Sequence, residues 1–175
     1  ADANNGWAVG HGAAVLRTRD GGLTWSRIFD GRQANEYVIE DARQVVADLE
    51  SRLEAASEDV AADLETQLEE ATFALEDAQA DSESGAAKPL LDVWFANASE
   101  GYVVGAYGMV FRTIDGGDTW QYWSPRLDNP DRFHLNAISR VEGAGLFIVG
   151  EAGQVFRSRD GGLTWTTLES LYDGS

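Results

Sequence analysis

The chain has no cysteine, one methionine, three prolines and two histidines among its 175 residues. Without thiols it can form neither a disulfide nor a thiolate metal site, although this leaves the compartment open. Basic residues are also scarce: 13 Lys and Arg stand against 30 Asp and Glu, a formal net charge of −17. Such a surface repels a phosphate backbone, which excludes nucleic acid as a partner. No apolar run reaches the length of a membrane-spanning helix, so direct membrane insertion is not expected. The opening residues ADANNGW have neither the basic start nor the apolar stretch of a signal peptide.

What is present is unevenly spread. Hydrophobic residues make up 43 % of the chain, enough for a packed core in one domain or in one domain with an insertion. Between Ala34 and Ser84 sixteen acidic residues face only two bases, Arg43 and Arg52, whereas the other 124 residues carry fourteen acids and eleven bases. That segment holds no glycine and no proline, and all 19 glycines lie outside it. Two kinds of structure share the chain.

Outside the acidic segment the sequence repeats. Three lines align: GWAVGHGAAVLRTRDGGLTW from Gly6, GYVVGAYGMVFRTIDGGDTW from Gly101 and LFIVGEAGQVFRSRDGGLTW from Leu146. Asp115 and Asp160 are 45 residues apart, and Asp20 and Asp115 are 95 apart. The excess is close to the length of the acidic segment, which is therefore an insertion between the first unit and the second. Short runs rich in Val, Phe, Ile, Tyr and Trp, separated by turn residues, predict four antiparallel strands per unit. The middle unit predicts strands at Leu90–Ala96, Gly101–Ala106, Met109–Ile114 and Trp120–Ser124. The last predicts Leu135–Val141, Leu146–Gly150, Gln154–Ser158 and Trp165–Glu169. Four strands recurring at this spacing is the pattern of a β-propeller blade. The predicted fold is mainly β, about three four-stranded blades of an incomplete ring with an inserted helical hairpin. Its parts are a partial first blade over 1–33, the insertion over 34–88, a second blade over 89–130 and a third over 131–175.

Each repeated box falls at the turn between the third and fourth strands. Asp20, Asp115 and Asp160 are placed to accept hydrogen bonds from the turn's own amides. The glycine pairs, with Gly22, Gly117 and Gly162 in second place, supply positive φ. Thr24, Thr119 and Thr164 tie the turn from its far side, and Trp25, Trp120 and Trp165 seal the blade edge. A calcium loop needs several oxygen ligands at alternate positions. The boxes share one carboxylate position, with Asp118 extra in the middle copy, so no metal is expected. The boxes read as structural staples.

In the insertion, apolar residues recur at Val38, Ala42, Val45, Leu49, Leu53 and Ala56, and again at Val60, Leu64, Leu68, Ala71, Leu75 and Ala78. Steps of three and four predict amphipathic helix with a coiled-coil-like seam. Both ends must return to neighbouring strands, so the prediction is an antiparallel hairpin pivoting near Ser57. Ser57 is placed to cap the second helix, with Glu58 and Asp59 in its first turn. Gly85 and Pro89 end the excursion.

Catalytic signals are poor. His11 sits in a turn and His134 just ahead of a strand, and no nucleophile pairs with either. Arg17, Arg112 and Arg157 occupy the same place in each unit, three residues ahead of the Asp. They read as salt bridges to a neighbouring blade or as an arc of positive charge that binds an acidic client segment. Tyr122 and Trp123, followed by Ser124-Pro125, add an exposed hydrophobic contact beside them. Trp94 and Phe95 read as core.

The pattern [ST]-x-D-x-G-x-T-W resembles the Asp box of BNR-repeat propellers. The longer line GWAVG…G…RTRDGGLTW resembles the photosystem II stability and assembly factor family over all three units. That resemblance implies a propeller, typically of seven blades, in an extracytoplasmic compartment such as a periplasm or thylakoid lumen. It implies a non-enzymatic assembly factor that holds a membrane-protein client and needs no cofactor. The chain departs from the family pattern in having three units, too few to close a ring, and in lacking a counterpart of LLDVWFAN ahead of the first. It therefore reads as part of a longer protein, or as a fragment completed by copies of itself. A sialidase-like or carbohydrate-binding propeller is the enzyme-class alternative, but the Arg-Ile-Pro signature and a Tyr–Glu pair are missing here.

Overall fold

The computed structural model describes residues 2–85 and 88–170. The chain divides into two compact units, Ala1–Asp30 with Ala87–Ser175 and Gly31–Ala86. The extreme ends of the first and third expected blades, and residues 86–87 of the expected insertion, lie outside the described residues.

The first unit holds three antiparallel sheets. Sheet 1 has three strands in the order β1 (Gly6–Val9), β2 (Val15–Thr18) and β3 (Ser26–Phe29). Sheet 2 has four, β4 (Leu90–Phe95), β5 (Gly101–Gly105), β6 (Val110–Thr113) and β7 (Gln121–Tyr122). Sheet 3 has four, β8 (Leu135–Val141), β9 (Gly145–Gly150), β10 (Val155–Ser158) and β11 (Thr166–Leu168). Each strand pairs with the next in sequence, because short turn-bounded runs close local hairpins at low entropic cost.

The turns between the first two strands of each aligned line share one backbone solution. Gly12, Tyr107 and Ala152 have φ of 63°, 56° and 52°, and each is followed by another residue at positive φ. Two successive left-handed residues make a primed turn, whose twist matches that of the flanking strands. Gly105 N–H then donates to Met109 O at 2.9 Å, and Gly150 N–H to Gln154 O at 2.9 Å. Both β4 and β8 carry a register shift near their starts. Asp92 ties the two strands together there: its carboxylate accepts Val93 N–H at 2.8 Å and Ile138 N–H at 2.9 Å.

The core lies between sheets. Tyr102, Val104 and Val110 of sheet 2 pack with Leu135, Ile138, Ile148 and Phe156 of sheet 3. Between sheets 1 and 2, Phe29 lies 5.1 Å from the Phe111 ring and 5.5 Å from Trp120. The strand predicted at Trp120–Ser124 shrinks to Gln121–Tyr122, because Ser124–Arg126 turns into a single 3-10 turn with Pro125 inside it. Proline has no N–H to continue the ladder.

The second unit holds two helices, α1 (Gly31–Glu54) and α2 (Glu58–Ser84), in contact with each other. Leu49, Leu64 and Ala78 are buried, but Val45 and Val60, which share the seam's spacing, are 45 % and 48 % exposed. Ser57 precedes α2 without a side-chain cap hydrogen bond. Its carbonyl accepts Val60 N–H at 3.1 Å and Ala61 N–H at 3.2 Å, as the N-cap carbonyl of a helix does. Glu58 and Asp59 occupy the first turn, where the helix dipole favours them. At the far end Gly85 has φ 105° and returns its N–H to Ser82 O.

Candidate functional site

The boxes lie between β2 and β3, β6 and β7, and β10 and β11, and all three build the same network. Asp20 Oδ1 accepts Thr24 N–H at 2.9 Å, and Oδ2 accepts the Thr24 hydroxyl at 2.6 Å. The Thr18 hydroxyl donates to Asp20 Oδ1 at 2.8 Å, and its oxygen accepts Gly22 N–H at 2.9 Å. In the middle copy Thr119 bonds Asp115 at 2.9 and 2.6 Å, with Thr113 in the role of Thr18. In the last copy Thr164 bonds Asp160 at 3.0 and 2.6 Å, with Ser158 in that role. The Thr24 hydroxyl and amide hold the Asp20 carboxyl down to about 2. At Asp115 burial pushes upward, but the Thr119 and Thr113 bonds outweigh it and the carboxyl also sits at about 2. Thr164 holds Asp160 well below the ordinary carboxylate range. The hydroxyl two residues before each Asp was legible in the aligned lines, yet its role at the centre of the turn was not.

The second and third boxes also receive side chains from the preceding sheet. Trp7 Nε1 donates to Gly116 O at 3.0 Å, and the repeat-equivalent Tyr102 hydroxyl donates to Gly161 O at 3.0 Å. Burial pushes the Tyr102 hydroxyl up, which keeps it a donor. Trp123 Nε1 donates to Gly162 O at 2.8 Å, an oxygen that also accepts Trp165 Nε1 at 3.1 Å. Trp25 bonds Gly22 O at 3.2 Å in the same way, whereas the buried Trp120 Nε1 finds no partner. Gly162 has φ +92°, and a Cβ there would stand 2.4 Å from the Tyr102 ring, so the interlock requires glycine. Trp123 is therefore not an exposed contact. It is buried, with its indole N–H on Gly162 O and the Arg126 guanidinium 4.0 Å over its ring. Tyr122 is half-buried, its ring 5.5 Å from Phe111.

The three equivalent arginines do not behave alike. Arg17 is 8 % exposed; it donates to Gly116 O at 2.9 Å and to Asp118 Oδ1 at 2.8 Å. Arg19 reaches the other Asp118 oxygen at 3.6 Å. Arg112 approaches Glu100 at 4.0 Å and lies 5.0 Å over the Trp123 ring. Arg157 donates from Nε and Nη2 to Ala144 O at 2.8 and 2.6 Å.

One difference between the two sheet junctions lies in the fourth residue of the box. Asp118, which neutralises Arg17 and Arg19 between sheets 1 and 2, is replaced by Leu163 in the third box. Between sheets 2 and 3 a groove of about 190 Å³ is lined by Trp94, Tyr102, Arg112, Arg140 and Arg159, with Glu100 at one side. Arg140 and Arg159 also line, with Arg157, an open depression of about 420 Å³. Arg140 and Arg159 are exposed, and neither has an ion pair among the described residues. The structure thus brings Arg112 together with Arg140 and Arg159 and leaves Arg17 apart. Arg159 could have been found, since it repeats Arg19; Arg140 lies outside the aligned lines and carried no signal.

His11 is exposed, and His134 Nδ1 lies 3.2 Å from Glu151 beside Tyr107. Among the described residues no cluster of three His, Cys, Asp or Glu could hold a metal ion. No described helix is long and apolar enough to cross a membrane.

Asp-box turns locking three- and four-stranded antiparallel sheets in series define a BNR, propeller-like repeat protein. The chain belongs to the family described as photosynthesis system II assembly factor YCF48, whose model matches residues 71–171. A solved structure of YCF48 bound to D1 peptide is similar over 97 % of this chain, at 19 % identity with a TM-score of 0.56. YCF48 from Cyanidioschyzon merolae is 28 % identical over 50 % of this chain and 26 % of its own, with a TM-score of 0.39. The chain spans 39 % of the length of the first of these. No curated protein matches it.

Proposed function

We propose that this protein is a non-enzymatic binding and scaffold protein that holds an acidic segment of a membrane-protein client while its complex is assembled or stabilised. The observation that carries the reading is the meeting of three arginines, Arg112, Arg140 and Arg159, with a single carboxylate, Glu100, in one groove. Guanidinium groups match carboxylates in geometry as well as charge, and Trp94 and Tyr102 give the groove an apolar wall for a peptide stem. Family membership supports an assembly role, and the D1 peptide bound to a YCF48 structure supports a peptide client. The same membership favours an extracytoplasmic site of action, and catalysis, cofactor and metal have no part in the proposal.

The three sheets are read as blades over 1–33, 89–130 and 131–175, with the boxes as structural staples and the segment 34–88 as a coiled-coil hairpin that serves as a docking arm. Arg157 extends the binding surface, and Arg17 belongs to the interlock instead. A second reading rests on Leu23 and Trp25, 86 % and 46 % exposed on the box face that a preceding sheet covers in the other two units. A further propeller sheet fits there, from the same protein or from a copy.

Affinity recovery from solubilised membranes tests the reading with three forms: intact, Arg140→Gln/Arg159→Gln, and a form with residues 34–84 replaced by a short Gly-Ser loop. The account expects a client recovered by the intact form and lost with the arginine variant. Loss with the loop form alone assigns the client to the hairpin, and equal recovery by all three contradicts both sites.

A further inference from the structure

We propose that the outer face of α2, centred on Phe73, is a docking surface for a basic amphipathic segment that covers the phenyl ring with an apolar side chain. The inference rests on the docking-arm reading and gives that arm a position and a partner chemistry. Phe73 is 71 % exposed, although Leu64 and Ala78 of the same helix are buried. With Leu68, Glu65, Glu69, Thr72 and Glu76 it lines an open depression of about 470 Å³ along one side of α2. These positions recur every three or four residues, so they form one stripe.

Charge sets what can lie there. The 27 residues of α2 include ten acidic side chains and no lysine or arginine. Arg43 and Arg52 of α1 are directed to their own helix, Arg43 to Glu40 at 4.0 Å and Arg52 to Asp48 at 3.4 Å. No ion pair to Glu65, Glu69 or Glu76 occurs among the described residues, and Glu65 and Glu69, one turn apart, repel each other. A partner with Lys or Arg one turn apart relieves that repulsion on contact, while an apolar side chain between them removes Phe73 from water. A second copy of the same face would set glutamate against glutamate, so the occupant is a basic segment of another protein.

The probe is a synthetic amphipathic peptide with lysines along one helical face and a leucine between them, titrated by calorimetry into the full chain at low and at physiological salt. Phe73→Ala is expected to weaken binding about tenfold, as loss of an aromatic anchor does, with helix content unchanged by circular dichroism. Glu65→Gln/Glu69→Gln/Glu76→Gln is expected to weaken it similarly and to flatten the salt dependence. A charge-matched control off the face, Glu50→Gln/Glu54→Gln/Glu58→Gln, is expected to change it by no more than about twofold. Equal losses in the two triple variants with Phe73→Ala neutral would reduce the effect to diffuse charge and overturn the proposal. Sedimentation showing a dimer that Phe73→Ala dissolves would overturn it in favour of a second copy. In the membrane recovery, a client lost on loop replacement but kept by Phe73→Ala leaves the docking arm standing and removes this surface.

Discussion

At the scale of single residues, each box is a carboxylate held by hydroxyls. Thr24 and Thr18 surround Asp20 at 2.6–2.9 Å, and the other two copies repeat the arrangement. Asp20 and Asp115 are held at about 2, below the ordinary unfolded value of about 3.9. A carboxyl depressed on folding contributes stability that is fully present above the unfolded value and is lost as pH falls through the folded one. Thermal unfolding should therefore lose midpoint steadily from about pH 4 to about pH 2. Asp115→Asn should lower the midpoint by a few degrees at neutral pH and make that acid slope shallower. An unchanged acid slope in the variant would show that the box carboxylates do not carry it. The arginines show the limit of reading residues by repeat position. Arg17, Arg112 and Arg157 are equivalent in sequence, yet Arg17 meets Asp118 of the next box, Arg112 lies between Glu100 and the Trp123 ring, and Arg157 turns to Ala144 O of its own sheet, which a comparison of single positions does not weigh.

At the scale of elements, the period of the apolar residues was enough to anticipate strands and helices, and less good at their ends. β8 runs over Leu135–Val141 as anticipated, because its turn residues bound it clearly. The last strand of the middle unit is cut to two residues by a proline turn that follows Trp123. In the helical unit Val45, Leu49, Val60 and Leu64 share one spacing, but only Leu49 and Leu64 are buried. Period reports which residues share a stripe, and burial depends on where the other helix lies. Leu64→Ala should thus cost about 2–3 kcal/mol in the unfolding of the helical signal, and Val60→Ala less than about 1 kcal/mol. Equal costs, measured by denaturant melts followed at the helix band, would contradict the assignment of the contact line. Ser57 adds a further lesson: it occupies the N-cap position and its carbonyl accepts the first helical amides, yet its hydroxyl makes no cap hydrogen bond.

At the scale of the whole molecule, two compact units share one chain, and they were visible first as a difference in glycine and charge. The sheets of the first unit are joined in series by an aromatic donor seated on the next box, Trp7 on Gly116 and Tyr102 on Gly161, and Trp123, just after β7, adds a second donor on Gly162. The aligned letters announced the turns, but not that the second and third turns are sockets for the sheet before them. That relation depends on two units at once, and so does the groove that gathers Arg112, Arg140 and Arg159. The central claim is that this groove binds an acidic peptide. The direct measurement is a calorimetric titration of the protein with a short peptide rich in Asp and Glu ending in a free carboxylate. The account predicts saturable binding that weakens with salt, about tenfold or more weaker in Arg140→Gln/Arg159→Gln, and within about twofold of wild type in the charge-matched Arg43→Gln/Arg52→Gln. Equal affinity in the two double variants would contradict it.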